Sequence, residues 1–140
     1  MTTTTSRIST ATTATTATDR FLDAARGDHG AVPWADDITL DATIPNWRLT
    51  IQGAERVDAQ FRIWFADPGT LEEVRRFPIA TGELVEFTVS WVEDGVPHAA
   101  RQVHVLDIDD RGRITHDNMW CGGRWPARLL AQMEAARDAD

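Results

Sequence analysis

Residues Arg101 to Gly123 run R-Q-V-H-V-L-D-I-D-D-R-G-R-I-T-H-D-N-M-W-C-G-G and read as two long antiparallel strands joined by a tight turn. Val103, His104, Val105, Leu106 and Ile108 form the outgoing strand, and Ile114 to Cys121 the return. Between them lies Asp109-Asp110-Arg111-Gly112, where Gly112 supplies the positive φ that a hairpin turn or bulge requires. The hairpin holds two of the four histidines, the only cysteine and the Asp117-Asn118 pair. Two strands of this length belong in the middle of a curved sheet, as one wall of a pocket.

Upstream of the hairpin the chain is β. Leu84 to Val92 alternates, with Val85, Phe87, Val89 and Trp91 on one face and Glu86, Thr88 and Ser90 on the other. Glu93-Asp94-Gly95 is a hairpin turn, and the next strand starts at Val96. Leu71 to Ala80 is a further strand, turning at Gly82. Before it, Val57, Phe61, Trp64 and Phe65 fall on one face of a helix beginning near Ala54 and ended by Asp67-Pro68-Gly69. Ile38–Ile44 and Trp47–Ile51 are short strands divided by Pro45-Asn46. Thr18-Asp19 can cap a first helix carrying Phe21, Leu22 and Ala25 and ending near Gly27. A short second helix is expected from Asp28 to Trp34. Downstream, Pro126 suits the first position of a closing helix with Leu129, Leu130 and Met133 on its apolar side. Residues 1–18, mostly Thr and Ala, read as a disordered tail, and residues 19–138 as one domain.

Helices grouped against one antiparallel sheet define an α+β domain. A curved antiparallel sheet wrapped around N-terminal helices leaves a conical pocket with an open mouth. The chain has 140 residues, enough for a single core. Its net charge is −8, with no clustered basic patch, which argues against nucleic acid and against an anionic membrane surface as partners. All fourteen basic residues are Arg. The lack of lysine excludes Schiff-base chemistry, and the lack of tyrosine excludes a phenolic acid. One cysteine allows no internal disulfide, which fits a cytoplasmic protein. No apolar run suits a signal peptide or a membrane helix.

The element order resembles the SnoaL-like branch of the nuclear transport factor 2-like superfamily, from about Asp19 to Leu130. W-A-D-D-I-T-L-D at residues 34–41, I-Q-G-A-E-R-V-D-A-Q-F at 51–61 and D-I-D-D-R-G-R-I-T-H-D-N-M-W at 107–120 carry the likeness. The resemblance implies a conical pocket and often a dimer through the sheet. Superfamily members include ketosteroid isomerase, scytalone dehydratase, limonene epoxide hydrolase, polyketide cyclases and non-catalytic binding domains, so the fold does not imply a reaction. Matched to ketosteroid isomerase, Ala42 takes the place of the carboxylate base, with Asp41 one residue before it, and His104 takes the place of the protonated aspartate. Matched to limonene epoxide hydrolase, the Arg-x-Asp pair is missing and Met119 stands where the last-strand aspartate belongs.

His104 lies between valines, where a polar ring needs a partner. It reads equally as a general acid or base and as a wall histidine held by one hydrogen bond. Asp117 shares a face with Thr115, Met119 and Cys121. It could pair with His104 or simply face water, and a slip of one residue would bring His116, Asn118 and Trp120 inward instead. Asp41 could be a base displaced through a bulge, or a solvated carboxylate. Trp34, Trp64, Phe65, Met119 and Cys121 are the candidate ligand walls. Asp36-Asp37 reads as a solvated cap or turn. His98, His104 and His116 match no metal spacing, so no metal and no cofactor are expected. The reading is a cofactor-free enzyme of isomerase, cyclase, dehydratase or hydrolase type, acting on a hydrophobic small molecule by acid–base chemistry through His104, Asp117 and Asp41. The alternative is a non-catalytic small-molecule-binding or dimerisation module. A homodimer through the sheet is expected, with the Val85–Trp91 face meeting a second subunit if helices leave it bare.

Overall fold

The computed structural model describes residues 16–139. Its helices are α1 (residues 16–25), α2 (Ala54–Trp64) and α3 (Ala127–Asp138). Its strands are β1 (Trp34–Ile44), β2 (Trp47–Gln52), β3 (Gly69–Ile79), β4 (Gly82–Glu93), β5 (Val96–Ile108), β6 (Ile114–Cys121) and β7 (Trp125–Pro126). They form one sheet in the order β2-β1-β6-β5-β4-β3, with β7 beside β5. This is the expected α+β architecture, a curved, open sheet, with α1 and α2 packed on one face and α3 beside outward-facing residues of β4 and β5. One correction applies to the pairing. β1 and β6 run parallel, whereas every other pair is antiparallel.

The alternation in β4 sets the inner face. Val85, Phe87 and Val89 are buried, while their outward neighbours are partly exposed. Phe21 of α1 and Phe61 of α2 are fully buried in the same cluster as these strand residues. The helices therefore cover this face, and it is not the surface on which a second subunit would sit. Each fully buried phenylalanine contributes roughly 2–3 kcal/mol of burial free energy.

The expected tail falls largely on residues 1–15, which lie outside the described residues; residues 16–18 already belong to α1. The second helix is not formed. Residues 28–33 are a connecting segment, and β1 begins at Trp34 rather than Ile38. Gly27 and Gly30 take left-handed backbone conformations (φ 97° and 104°), and Pro33 lacks the backbone donor a helix would need. Asp36 and Asp37 are not a cap or turn. They lie within β1, exposed, across a register shift between Trp34 and Thr39. Pro126 sits one residue earlier than expected, capping α3 in an extended conformation (φ −72°, ψ 166°), because Trp125 and Pro126 first pair with β5. α3 buries none of its residues fully.

Polar contacts fasten α1 to the sheet. Thr18 Oγ1 donates to Glu83 Oε2 (2.8 Å), Arg76 Nε to Glu83 Oε1 (2.6 Å), and a second Arg76 nitrogen to Asp19 (2.6 Å).

Two glycines are needed for different reasons. A Cβ on Gly82 would lie 2.0 Å from the carbonyl oxygen of Leu106 on the neighbouring strand. Gly95 has φ 78° and open space around it. Gly82→Ala should therefore destabilise the protein by about 2–4 kcal/mol, as overpacking against backbone does. Gly95→Ala should cost only about 1 kcal/mol, the left-handed penalty. Urea unfolding of both variants gives the comparison, and equal effects would contradict it.

Candidate functional site

The inner faces of β4, β5 and β6 carry the site. Along β5, alternation turns Ala100, Gln102, His104 and Leu106 inward. On β6, a bulge opposite Asp107 and Ile108 takes up Thr115, so that Ile114 and Asp117 both point inward. Met119 follows inward and Trp120 outward. The parity that places Asp117, Met119 and Cys121 on the inner side is the one present, but Thr115 sits in the bulge rather than on a continuous face.

His104 and Asp117 meet at full burial. His104 Nδ1 lies 2.9 and 3.1 Å from the two carboxylate oxygens of Asp117. His104 Nε2 lies 2.8 Å from Gln102 Oε1. Both ring nitrogens thus face acceptors, an arrangement satisfied by an imidazolium donating from each. The Asp117 carboxylate balances its charge. Phe87 stacks on the imidazole at 5.6 Å between centroids, and Phe21 meets it edge-on at 4.7 Å.

Beyond Gln102 lies a cavity of about 230 Å³. Trp64, Phe65, Val89, Trp91, Ala100, Gln102, Met119, Cys121 and Arg124 contribute to its wall. Gln102 Nε2 donates to Cys121 Sγ at 3.6 Å, and the thiol faces the Gly123 carbonyl oxygen at 3.8 Å. Arg124 lies at the rim, with its guanidinium 4.7 Å above the Trp91 ring. It donates to the Trp64 carbonyl oxygen (3.2 Å) and pairs with Glu93.

Four expected ligand-wall residues, Trp64, Phe65, Met119 and Cys121, line this cavity. Trp34 does not. It packs against Phe61 at 4.9 Å, and its indole donates to Asp58 (3.4 Å). His104 and Asp117 are brought together but stand behind Gln102 rather than on the cavity surface. Asp41 is placed elsewhere, because Leu40 and Ala42 take the inward positions of β1. Its carboxylate is held by Arg48 at 3.0 and 2.7 Å, and that hydrogen-bonded guanidinium keeps its pKa below the usual carboxylate value. His98 stacks on Trp91 at 5.6 Å, and His116 lies 3.9 Å from Asp107. No group of three or more metal-ligating side chains is present among the described residues. Sequence reasoning missed Gln102. The signal for Gln102 was its position two residues before His104, on the same face of the strand.

No protein-family model matches the chain, and no curated protein does. Solved structures match in fold. A nuclear transport factor 2-like protein from Anabaena variabilis has a TM-score of 0.69 at 17% identity, over 82% of this chain and 90% of its own. An LEH-like epoxide hydrolase from M. tuberculosis has 0.62 at 21%, over 79% and 84%. SalBIII, an epoxide hydrolase/cyclase-like enzyme of pyran ring formation in the polyether salinomycin, has 0.62 at 14%, over 75% and 86%. The chain therefore has the nuclear transport factor 2-like fold, as the resemblance implied. Its structural neighbours include enzymes and proteins of unknown function alike. No helix among the described residues is long and apolar enough to cross a membrane.

Breaking the buried pair should cost far more than removing it. Asp117→Ala strands a buried imidazole and should lose about 3–5 kcal/mol. His104→Leu combined with Asp117→Leu should stay within about 2 kcal/mol of the parent. Denaturant midpoints of the single and double variants measure this, and a double variant as weak as the single would refute it.

Proposed function

We propose that the protein holds a small hydrophobic molecule in the 230 Å³ cavity without a cofactor. The observation that carries this reading is an aromatic and aliphatic wall interrupted by one buried amide, Gln102, itself fixed by a charged pair. Apolar walls supply affinity, and a few placed polar groups supply orientation. The volume lies below the roughly 300–1,000 Å³ of sites for drug-sized ligands. It suits a single ring with short substituents rather than a fused polycycle.

A catalytic version of this reading has its own support. The Asp117–His104 pair reaches to within one side chain of the cavity. If Gln102 rotates aside, the Nε2–H of the imidazolium faces the bound molecule. It can then protonate a ligand oxygen, leaving neutral imidazole beside the Asp117 carboxylate. That is acid catalysis suited to opening a cyclic ether, isomerising a carbonyl compound or losing water. Asp41 takes no part in this scheme. We also propose that a homodimer, if formed, uses the outer face around Trp120, which stands 43% exposed.

Ala100→Phe fills the cavity from the floor of β5. It should reduce binding of one-ring hydrophobic compounds at least tenfold in native mass spectrometry while circular dichroism stays unchanged. Undiminished binding by the folded variant would remove the cavity from the function. For the catalytic version, His104→Gln should abolish turnover of a compound the parent converts while binding persists; retained turnover would leave binding alone.

A further inference from the structure

The hydrogen bonds behind the cavity run in one direction. The Asp117 carboxylate can only accept, so His104 Nδ1 donates to it. His104 Nε2 donates to Gln102 Oε1, which uses the amide's carbonyl end. The amide's NH2 end is directed to Cys121 Sγ, while the thiol faces the Gly123 oxygen. Reversing the Gln102 amide would set its NH2 against the Nε2–H of the imidazolium, donor against donor. As placed, the carbonyl end of Gln102 meets the imidazole and its NH2 end is left on the cavity side.

From this polarity we infer that the cavity selects ligands carrying a hydrogen-bond-accepting oxygen, which the Gln102 amide N–H addresses. The inference rests on the ligand-binding reading above and adds the chemical class. Sulfur at 3.6 Å is a weak acceptor for the amide, and the second N–H of the NH2 group has no acceptor among the described hydrogen bonds. Gln102 is only 8% exposed, so an unmet donor there is costly. A ligand oxygen satisfies it; a hydrocarbon does not, and a ligand N–H opposes it. Arg124 at the rim is engaged by Glu93 and the Trp64 carbonyl, and the Trp91 indole donates to Glu93, so Gln102 is the most deeply buried polar side chain of the wall.

The test compares three one-ring probes by titration of the full chain: cyclohexanone as acceptor, methylcyclohexane as neither, and pyrrole as donor. Cyclohexanone should bind at least about fivefold more tightly than the other two, the worth of one hydrogen bond to a buried group. In NMR spectra of the parent protein, cyclohexanone should shift the Gln102 side-chain NH2 resonances and methylcyclohexane should not. Gln102→Glu replaces that donor by a second carboxylate oxygen and should invert the preference toward pyrrole. Gln102→Leu should erase it. Pyrrole binding the parent as tightly as cyclohexanone would overturn the polarity while leaving the cavity reading intact. Failure of all three probes to bind would overturn the cavity reading, and this inference with it. The NMR shifts decide the matter if either variant fails to fold.

Discussion

A carboxylate with no access to water sits in the middle of the sheet, and much of the interior is arranged to keep it neutralised. Burying Asp117 alone would cost several kcal/mol. The cost is met by His104 one strand away, at 2.9 Å, with Gln102 closing the far side of the ring. Aromatic rings from β4, α1 and α2 then enclose the imidazole and keep solvent from competing. Such an arrangement tolerates few alternatives in register. Shifting β5 by one residue against β6 would turn His104 to the outer face, bring Val103 or Val105 inward in its place and leave Asp117 buried without its partner.

The bulge at Thr115 has a matching role. Without the extra residue, Ile114 and Asp117, three positions apart, could not both face inward. The strand thereby seals the turn end of the core with an isoleucine and still delivers a carboxylate to His104. The cavity begins where this polar region ends. Gln102 belongs to both, as the last member of the buried network and the polar part of an otherwise mostly apolar wall.

The long strands were legible because a half-buried strand writes its burial into every second residue, as Val85, Phe87 and Val89 do. Helix α2 was legible for the corresponding helical reason, through Val57 and Phe61. The pairing of His104 with Asp117 could be anticipated from alternation on two strands joined by a short turn. What the residues could not reveal depended on distant partners or on local breaks in period. The segment from Asp28 carries a start signal for a helix, but two left-handed glycines and a proline outweigh it. Asp41 sits at the right height on β1 but on the wrong face, since the irregularity of that strand lies earlier, between Trp34 and Thr39. The parallel pairing of β1 with β6 joins segments far apart in the chain, and no local pattern marks it. Gln102 was overlooked because glutamine is an ordinary residue, and only its contact with His104 gives it significance.

That parallel pairing also orders events in time. β1 and β2 emerge early during synthesis, yet the inner edge of β1 finds its partner only when β6, more than seventy residues later, has been made. Contacts of such sequence separation are entropically expensive and form late. The hairpins from β3 to β6 can assemble among themselves, since each joins its neighbour through a short turn. Docking of β1 onto β6 then completes the sheet. Until that moment β1 presents an unpaired edge, the kind of surface on which chains associate wrongly. A pairing that closes over more than seventy residues and the strand edge left open before it forms therefore coincide at one junction, Leu40 to Thr43 against Asp117 to Trp120.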